Sequence, residues 1–131
     1  MAANLPPGWT LPDDERLLCA DETYPIPLGN VVSDDQLLVR LVVHDAEFVL
    51  VEFALVQQTL HLGAWCEVAE IDSKHGFVHK HQNVCSTGMR VGEREWLMDL
   101  HERADVQLGY NVAYPAMMRD WEGNRERWHR G

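Results

Sequence analysis

Between Gln36 and Gln82 the apolar side chains recur at every second position, and short polar breaks divide this stretch into four runs. A period of two is typical of β-strands, because successive side chains point to opposite faces of a sheet. The predicted strands cover residues 36–44, 48–56, 60–72 and 77–82. Breaks this short join only antiparallel neighbours, so the pattern predicts a four-stranded antiparallel meander. The side chains expected on its covered face are Leu37, Val39, Leu41 and Val43.

Beyond Gly92 the apolar spacing changes to three and four residues, which is typical of helices. The apolar positions of a first predicted helix, expected to pack against the sheet, are Trp96, Leu97, Leu100, Ala104 and Leu108. Gly109 is expected to end this helix and Pro115 to begin a second one, since proline is tolerated in a first helical turn. Strands followed by helices predict an α+β fold with two C-terminal helices.

Five of the six prolines lie within the first 27 residues. Because proline has no amide donor and a fixed φ, this segment is expected to be extended or irregular. We therefore predict a proline-rich N-terminal arm over residues 1–30, anchored by Trp9 or Tyr24, and a single domain over residues 31–131. A chain of 131 residues, 46% of them apolar, is long enough for one hydrophobic core but not for two.

Charge is distributed unevenly along the chain. The net charge of −10 argues against general affinity for nucleic acid, which requires a positive surface. Residues 1–72 contain 13 acids and two bases, whereas residues 73–131 contain eight acids and nine bases. No acid lies between Asp72 and Glu93, but Lys74, Lys80 and Arg90 do. A local anion site is therefore compatible with the acidic total.

Other features narrow the class of protein. No apolar run approaches the roughly 18 residues of a membrane span, and the N-terminus lacks the pattern of a secretory signal. The three cysteines form no CxxC pair, which predicts a reducing cytoplasm rather than a disulfide scaffold. Neither GxxxxGK[ST] nor GxGxxG occurs, so a nucleotide cofactor has no support.

A cluster of histidines is the strongest candidate for chemistry. Asp72, His75, His79 and His81 lie within ten residues of one another. On an extended strand His79 and His81 point to the same face, because side chains alternate. His75 lies in the loop before them, and Asp72 ends the preceding strand. Three imidazoles and a carboxylate are therefore expected to converge.

Metal-independent acid–base catalysis is the first use of such a cluster. RNA cleavage needs one group to deprotonate the 2′-hydroxyl and another to protonate the leaving oxygen, and histidine fits both roles near neutral pH. His79 and His81 would serve as acid and base, with Asp72 orienting a ring and His75 beside them. The cations available to bind the phosphate are Lys74, Lys80 and Arg90.

A divalent ion is the second use, because imidazole and carboxylate together suit Zn²⁺ or a similar metal. The candidate ligands are Asp72, His75, His79 and His81, with Cys85 available as a further one. A third interpretation assigns no chemistry and leaves the histidines exposed on an edge strand.

A short motif in residues 65–108 resembles a known family. It consists of Trp65, Val68, Ile71-Asp72, His75-Gly76 and His79-x-His81, followed by the predicted helical region. In this motif the chain resembles small prokaryotic toxins of the TumE type, which belong to toxin–antitoxin pairs. The resemblance implies an α+β domain, a cognate protein partner and a histidine-lined site formed by Asp72, His75, His79 and His81.

Taken together, these features predict a small cytoplasmic toxin-like protein that cleaves RNA without a metal. One alternative is a non-catalytic interaction protein, such as an antitoxin, an immunity protein or an accessory subunit, whose acidic N-terminal half binds a basic partner. A second alternative is a divalent metal-binding protein. Bound metal would distinguish the metal-binding protein, and nuclease activity would distinguish the toxin-like ribonuclease.

Overall fold

Six strands form one antiparallel sheet in the computed structural model, which describes residues 8–29 and 34–131. The strands are β1 (Cys19–Pro27), β2 (Asp35–His44), β3 (Leu50–His61), β4 (Ala64–Asp72), β5 (Phe77–Asn83) and β6 (Arg90–Asp99). Each strand pairs with its neighbours in the chain, so the sheet is a meander in the order β1 to β6. A one-turn helix, α1 (Asp13–Arg16), precedes the sheet, and a 26-residue helix, α2 (Asp105–Arg130), follows it.

The prediction of a four-stranded sheet with two C-terminal helices is wrong. Strands β2 to β5 correspond to the four alternating runs, but β1 and β6 extend the sheet at its two edges. The C-terminal region contains one long helix rather than two. The fold keeps its α+β character, with α2 packed against β3, β4, β5 and β6.

Most of the first predicted helix is a strand in the structure. A bulge, rather than a helical turn, produces the apolar spacing near residue 97. Val78 pairs with Met98 and His79 with Trp96, so Leu97 is a bulge in β6. A bulge shifts the alternation by one residue, which produces neighbouring apolar side chains that resemble a helical stripe. Of the residues expected to cover the sheet, Leu100 is buried in the core, whereas Trp96 is exposed.

The second predicted helix begins ten residues too late, because Pro115 lies inside α2. Proline removes one helical hydrogen bond and leaves the carbonyl of residue 111 without its usual donor. Both Pro115 and Asn111 lie on the exposed side of the helix, where water can satisfy that carbonyl. The buried side of α2 carries Val106, Ala113 and Met117 into the core, and this burial offsets the loss.

Gly109 lies within α2 instead of ending it, and it allows the helix to approach the sheet closely. A Cβ atom at this position would lie 2.6 Å from Val78 Cγ2 and 3.7 Å from both Leu100 Cδ2 and Phe53 Cε1. These distances leave no room for a methyl group against Val78.

The proline-rich segment has the expected extended backbone from Cys19 to Pro27, but it is an edge strand of the sheet. Pro25 and Pro27 are compatible with this position because an edge strand does not need every amide donor. Trp9 anchors the preceding segment: its amide donates to the carbonyl of Leu100 at 2.8 Å, and its ring packs against two core clusters. Tyr24 is exposed. Residues 1–7 and 30–33, which include part of the predicted arm, lie outside the described residues.

The two faces of the sheet have different coverings. On the α2 face, Leu37 and Val39 join the main core and Leu41 packs against it, as expected for the covered face. Val43, the fourth residue of that prediction, belongs to no core cluster of the described residues. On the other face Val42 and Val51 pack under Leu11 and Trp9.

An ion-pair network ties α1 to this second face. Arg16 Nη2 lies 2.9 Å from Glu52 Oε2, and Arg40 Nη1 lies 3.1 Å from Glu52 Oε1. Arg40 also contacts Asp21 on β1, with 2.7 Å between Nη2 and Oδ2. Glu52 therefore connects α1 to the sheet through its two arginine partners.

No helix in residues 8–29 and 34–131 combines the length and the apolar character that crossing a membrane requires. The predicted cytoplasmic location stays a prediction.

Candidate metal centre

The end of β4 and the start of β5 form one hairpin that carries the candidate site. Asp72 pairs with His79 across the two strands, and Glu70 pairs with His81. Because Ile71 and Val78 point into the core under α2, these four polar residues point to the opposite face. The two-residue spacing therefore places both imidazoles on one face with two carboxylates beside them.

Three of these side chains converge. One ligand atom from each of Asp72, His79 and His81 lies within 4.8 Å of the other two. The ring centroids of His79 and His81 are 4.6 Å apart, with their planes nearly perpendicular. All three residues are buried, with exposed fractions of 2%, 0% and 7% respectively.

The tautomer of His79 follows from its backbone contact. Its Nδ1 lies 3.2 Å from the carbonyl oxygen of Phe77, which can only accept a hydrogen bond. Nδ1 therefore carries the proton, and in the neutral ring Nε2 presents a lone pair. Nε2 is buried, makes no hydrogen bond to any described residue, and lies 3.2 Å from Asp72 Oδ1. In that neutral state, two electron-rich atoms face each other at this distance.

Burial shifts the pKa of three side chains on this face. It lowers the pKa of His79, and the positive charge of Arg94 lowers it further. It also lowers the pKa of His81 to about 4, with the charge of Arg90 acting in the same direction. Burial raises the pKa of Glu70 to about 7, assisted by its hydrogen bond with Asp72. Near neutral pH both imidazoles are therefore neutral and can donate lone pairs.

The remaining predicted ligands lie outside this group. His75 is exposed in the turn before β5, in the left-handed region with φ of 69°, and its ring centroid is 6.1 Å from that of His79. Cys85 is remote from the site, and its Sγ lies 3.8 Å from His61 Nε2.

The three predicted phosphate-binding cations are dispersed. Lys80 points to the α2 face, where its Nζ donates to Asn124 Oδ1 at 2.6 Å, because it alternates with His79 and His81 along β5. Lys74 is exposed in the turn, and its backbone amide donates to Asp72 Oδ1 at 2.9 Å. Arg90 borders the site, with 3.9 Å between its Nη2 and Glu70 Oε1. Of these three predicted cations, Arg90 is the one whose side chain reaches the edge of the cluster.

Sequence reasoning missed three residues of this region, Glu70, Phe77 and Arg94, and misplaced a fourth, Trp96. Glu70 precedes Asp72 by two residues on one strand, so alternation alone was a sufficient signal. Arg94 was missed and Trp96 was assigned to the covered side of a helix because their segment was predicted to be helical.

Comparisons with known proteins leave the function to be inferred from this geometry. No family model, no curated protein and no solved structure matches the chain. The resemblance to TumE-type toxins therefore stays a prediction.

Proposed function

We propose that this chain is a divalent-metal protein whose ion binds between Asp72, His79 and His81. The observation that carries the proposal is the buried Nε2 of His79, which makes no hydrogen bond to any described residue and lies 3.2 Å from Asp72 Oδ1. Placing two electron-rich atoms together in a buried site is unfavourable unless a positive charge lies between them. A metal ion supplies that charge and turns the repulsion into coordination.

The surroundings of His79 fit a metal ligand. Metal-bound histidines commonly donate their second ring nitrogen to a backbone carbonyl or a carboxylate, which fixes the tautomer and the orientation of the ring. The contact from His79 Nδ1 to the Phe77 carbonyl has this form. Ile71 and Val78, which alternate with the ligands, are packed in the core and hold both strands in place.

The donor set selects among ions. Two imidazoles and one carboxylate suit Zn²⁺, Fe²⁺ and similar transition metals, whereas Ca²⁺ and Mg²⁺ prefer oxygen ligands. Three protein ligands also leave a coordination position for water or a substrate atom, as in catalytic rather than structural zinc sites.

Metal-independent acid–base catalysis has less support from the same residues. Both imidazoles are buried, and the pKa of His81 at about 4 lies well below the operating range of a general acid at neutral pH. The ribonuclease prediction stays untested, as does the prediction of an interaction protein with an acidic N-terminal half.

The proposal is tested by titrating chelator-treated protein with Zn²⁺ and Co²⁺, using calorimetry for stoichiometry and the visible spectrum of Co²⁺ for geometry. We expect one ion per chain in the wild type and loss of binding in Asp72→Asn and His81→Gln, which approximately preserve side-chain volume. His75→Ala and His101→Ala are matched controls at exposed histidines, and we expect both to bind like the wild type.

Two results would contradict the proposal. The first is a folded wild type that binds no ion. The second is equal affinity in the wild type, Asp72→Asn and His81→Gln. Loss of binding in His75→Ala would instead favour the four-ligand site predicted from the sequence.

A further inference from the structure

An aromatic surface begins at the edge of the metal centre. The ring centroid of Phe77 lies 4.6 Å from that of His79, and the ring of Trp96 stacks on Phe77 with centroids 3.8 Å apart and planes 5° from parallel. Trp96 is 58% exposed although it lies opposite buried His79. A flat aromatic face therefore extends from the metal ligands into solvent.

The charged side chains of β6 lie on both faces of the sheet. The cross-strand pairs place Arg90 and Trp96 on the face of the histidines, and Arg94 lies over the Phe77 ring with its Cζ 5.3 Å from the centroid. Glu95 instead pairs with Lys80, whose side chain points to the α2 face. The metal side of β6 therefore carries the two guanidinium groups of Arg90 and Arg94 together with the carboxylate of Asp99, which pairs with Phe77.

We propose that the metal centre takes a nucleotide, whose base stacks on Trp96 and whose phosphate meets Arg90, Arg94 and the open position of the ion. This inference rests on the proposed metal site for the position of the phosphate. Base stacking on an exposed aromatic ring and arginine contacts to phosphate are the two recurring elements of single-strand recognition.

The shape and charge of the surface favour this occupant. A cleft of about 400 Å³ is lined by Phe77, Gly92, Glu93, Arg94 and Trp96. A purely apolar ligand would gain nothing from the positive charge of Arg94, and a duplex polyanion would meet the acidic remainder of the chain. A free mononucleotide and the exposed end of a single strand present the same base and phosphate, and their affinities distinguish the two sources.

The experiment measures binding of AMP by calorimetry, and of fluorescein-labelled pentaadenylate by anisotropy, to Zn²⁺-loaded and chelator-treated protein. We expect Zn²⁺-loaded wild type to bind AMP, and Trp96→Ala to weaken binding at least about fivefold, the lower limit for losing one base–aromatic stack. Arg94→Gln should weaken AMP binding as well. Zn²⁺ content is measured in each variant, so that loss of nucleotide is not confused with loss of the ion.

Trp65→Ala is the matched control, because Trp65 is 43% exposed and lies seven residues from Asp72 along β4. We expect it to bind AMP like the wild type. Tighter binding of pentaadenylate than of AMP would support a single strand as the source, and the reverse would support a free nucleotide.

The proposal is overturned if Zn²⁺-loaded wild type binds neither probe, or if Trp96→Ala and Trp65→Ala bind equally well; the metal centre would then stand alone. Binding that depends on Trp96 but is unchanged by chelation would overturn the role of the ion while supporting the stacked base.

Discussion

Gly109→Ala and Gly123→Ala are two identical substitutions in α2 for which the structure predicts opposite effects on stability. Each gains about 0.8–1 kcal/mol of helix propensity, since alanine replaces glycine inside a helix. At position 123 the new Cβ would meet only Arg127 Nη1, at 3.5 Å, so this gain is retained. At position 109 the Cβ would lie 2.6 Å from Val78 Cγ2, and forcing an extra methyl group into a packed core costs about 1–3 kcal/mol. We therefore expect Gly123→Ala to stabilise the protein and Gly109→Ala to be less stable than it by about 1–3 kcal/mol.

Urea unfolding followed by circular dichroism measures both free energies of unfolding under one set of conditions. Because the propensity gain is common to the two variants, their difference reports the contact with the sheet alone. Val78→Ala in the Gly109→Ala background removes the opposing methyl groups, so the double mutant should lose less stability than the sum of the single mutants. Equal stability of the two alanine variants would refute the close approach of α2 to β5.

Three further predictions concern acid stability, the proline in α2 and the ion. Burial raises the pKa of Glu52, but its hydrogen bonds and charge pairs with two guanidinium groups outweigh this effect and lower the pKa overall. A lowered pKa contributes stability that is present above about pH 4.3 and lost as the pH falls through the folded-state value. Glu52→Gln should therefore lose about 1–2 kcal/mol of unfolding free energy at pH 7 and progressively less below about pH 4. A constant difference between the two proteins in urea unfolding across this pH range would contradict the prediction. Pro115→Ala restores a donor to the carbonyl of Asn111 and should stabilise α2 by about 1–3 kcal/mol, seen as a higher Tm; an unchanged Tm would count against a continuous helix. Zn²⁺ at about 100 times its Kd should add about 2.7 kcal/mol to the unfolding free energy of the wild type and nothing to Asp72→Asn, and equal stabilisation of both would assign the effect to another site.

The four strands that sequence reasoning found, β2 to β5, also contain register shifts, but each keeps a run of apolar residues bounded by polar breaks. In β2 the more buried and the less buried side chains alternate along most of the strand, and this leaves a period of two in the sequence. Strand β6 was not predicted, because the bulge at Leu97 breaks the two-residue period where its apolar side chains lie next to one another. The prediction divided helix α2 into two helices because proline usually marks the start of a helix. Burial of the opposite side of α2 explains why Pro115 is tolerated inside it.

The candidate site was predictable in part. Alternation correctly indicates that His79 and His81 share a face, and it explains why Lys80 points away from them. The approach of Asp72 to His79 depends on the register between β4 and β5, which is determined by the turn at residues 73–76 and by the packing of the whole sheet. The tautomer of His79 depends on a carbonyl two residues away, a contact that leaves no trace in composition or spacing.

The two open edges of the sheet affect how the protein behaves when it is concentrated. A strand from another molecule that adds to β1 finds no amide donor at Pro25 and Pro27, which interrupts any continuous ladder. At the opposite edge, the bulge in β6 and its closely spaced charges disfavour a flat intermolecular pairing. A meander sheet with two edge strands can add strands from other molecules and grow into a fibril. In this protein each edge is protected by a different feature. Replacing both prolines with valine would remove the protection at one end and leave the metal centre, three strands away, unchanged.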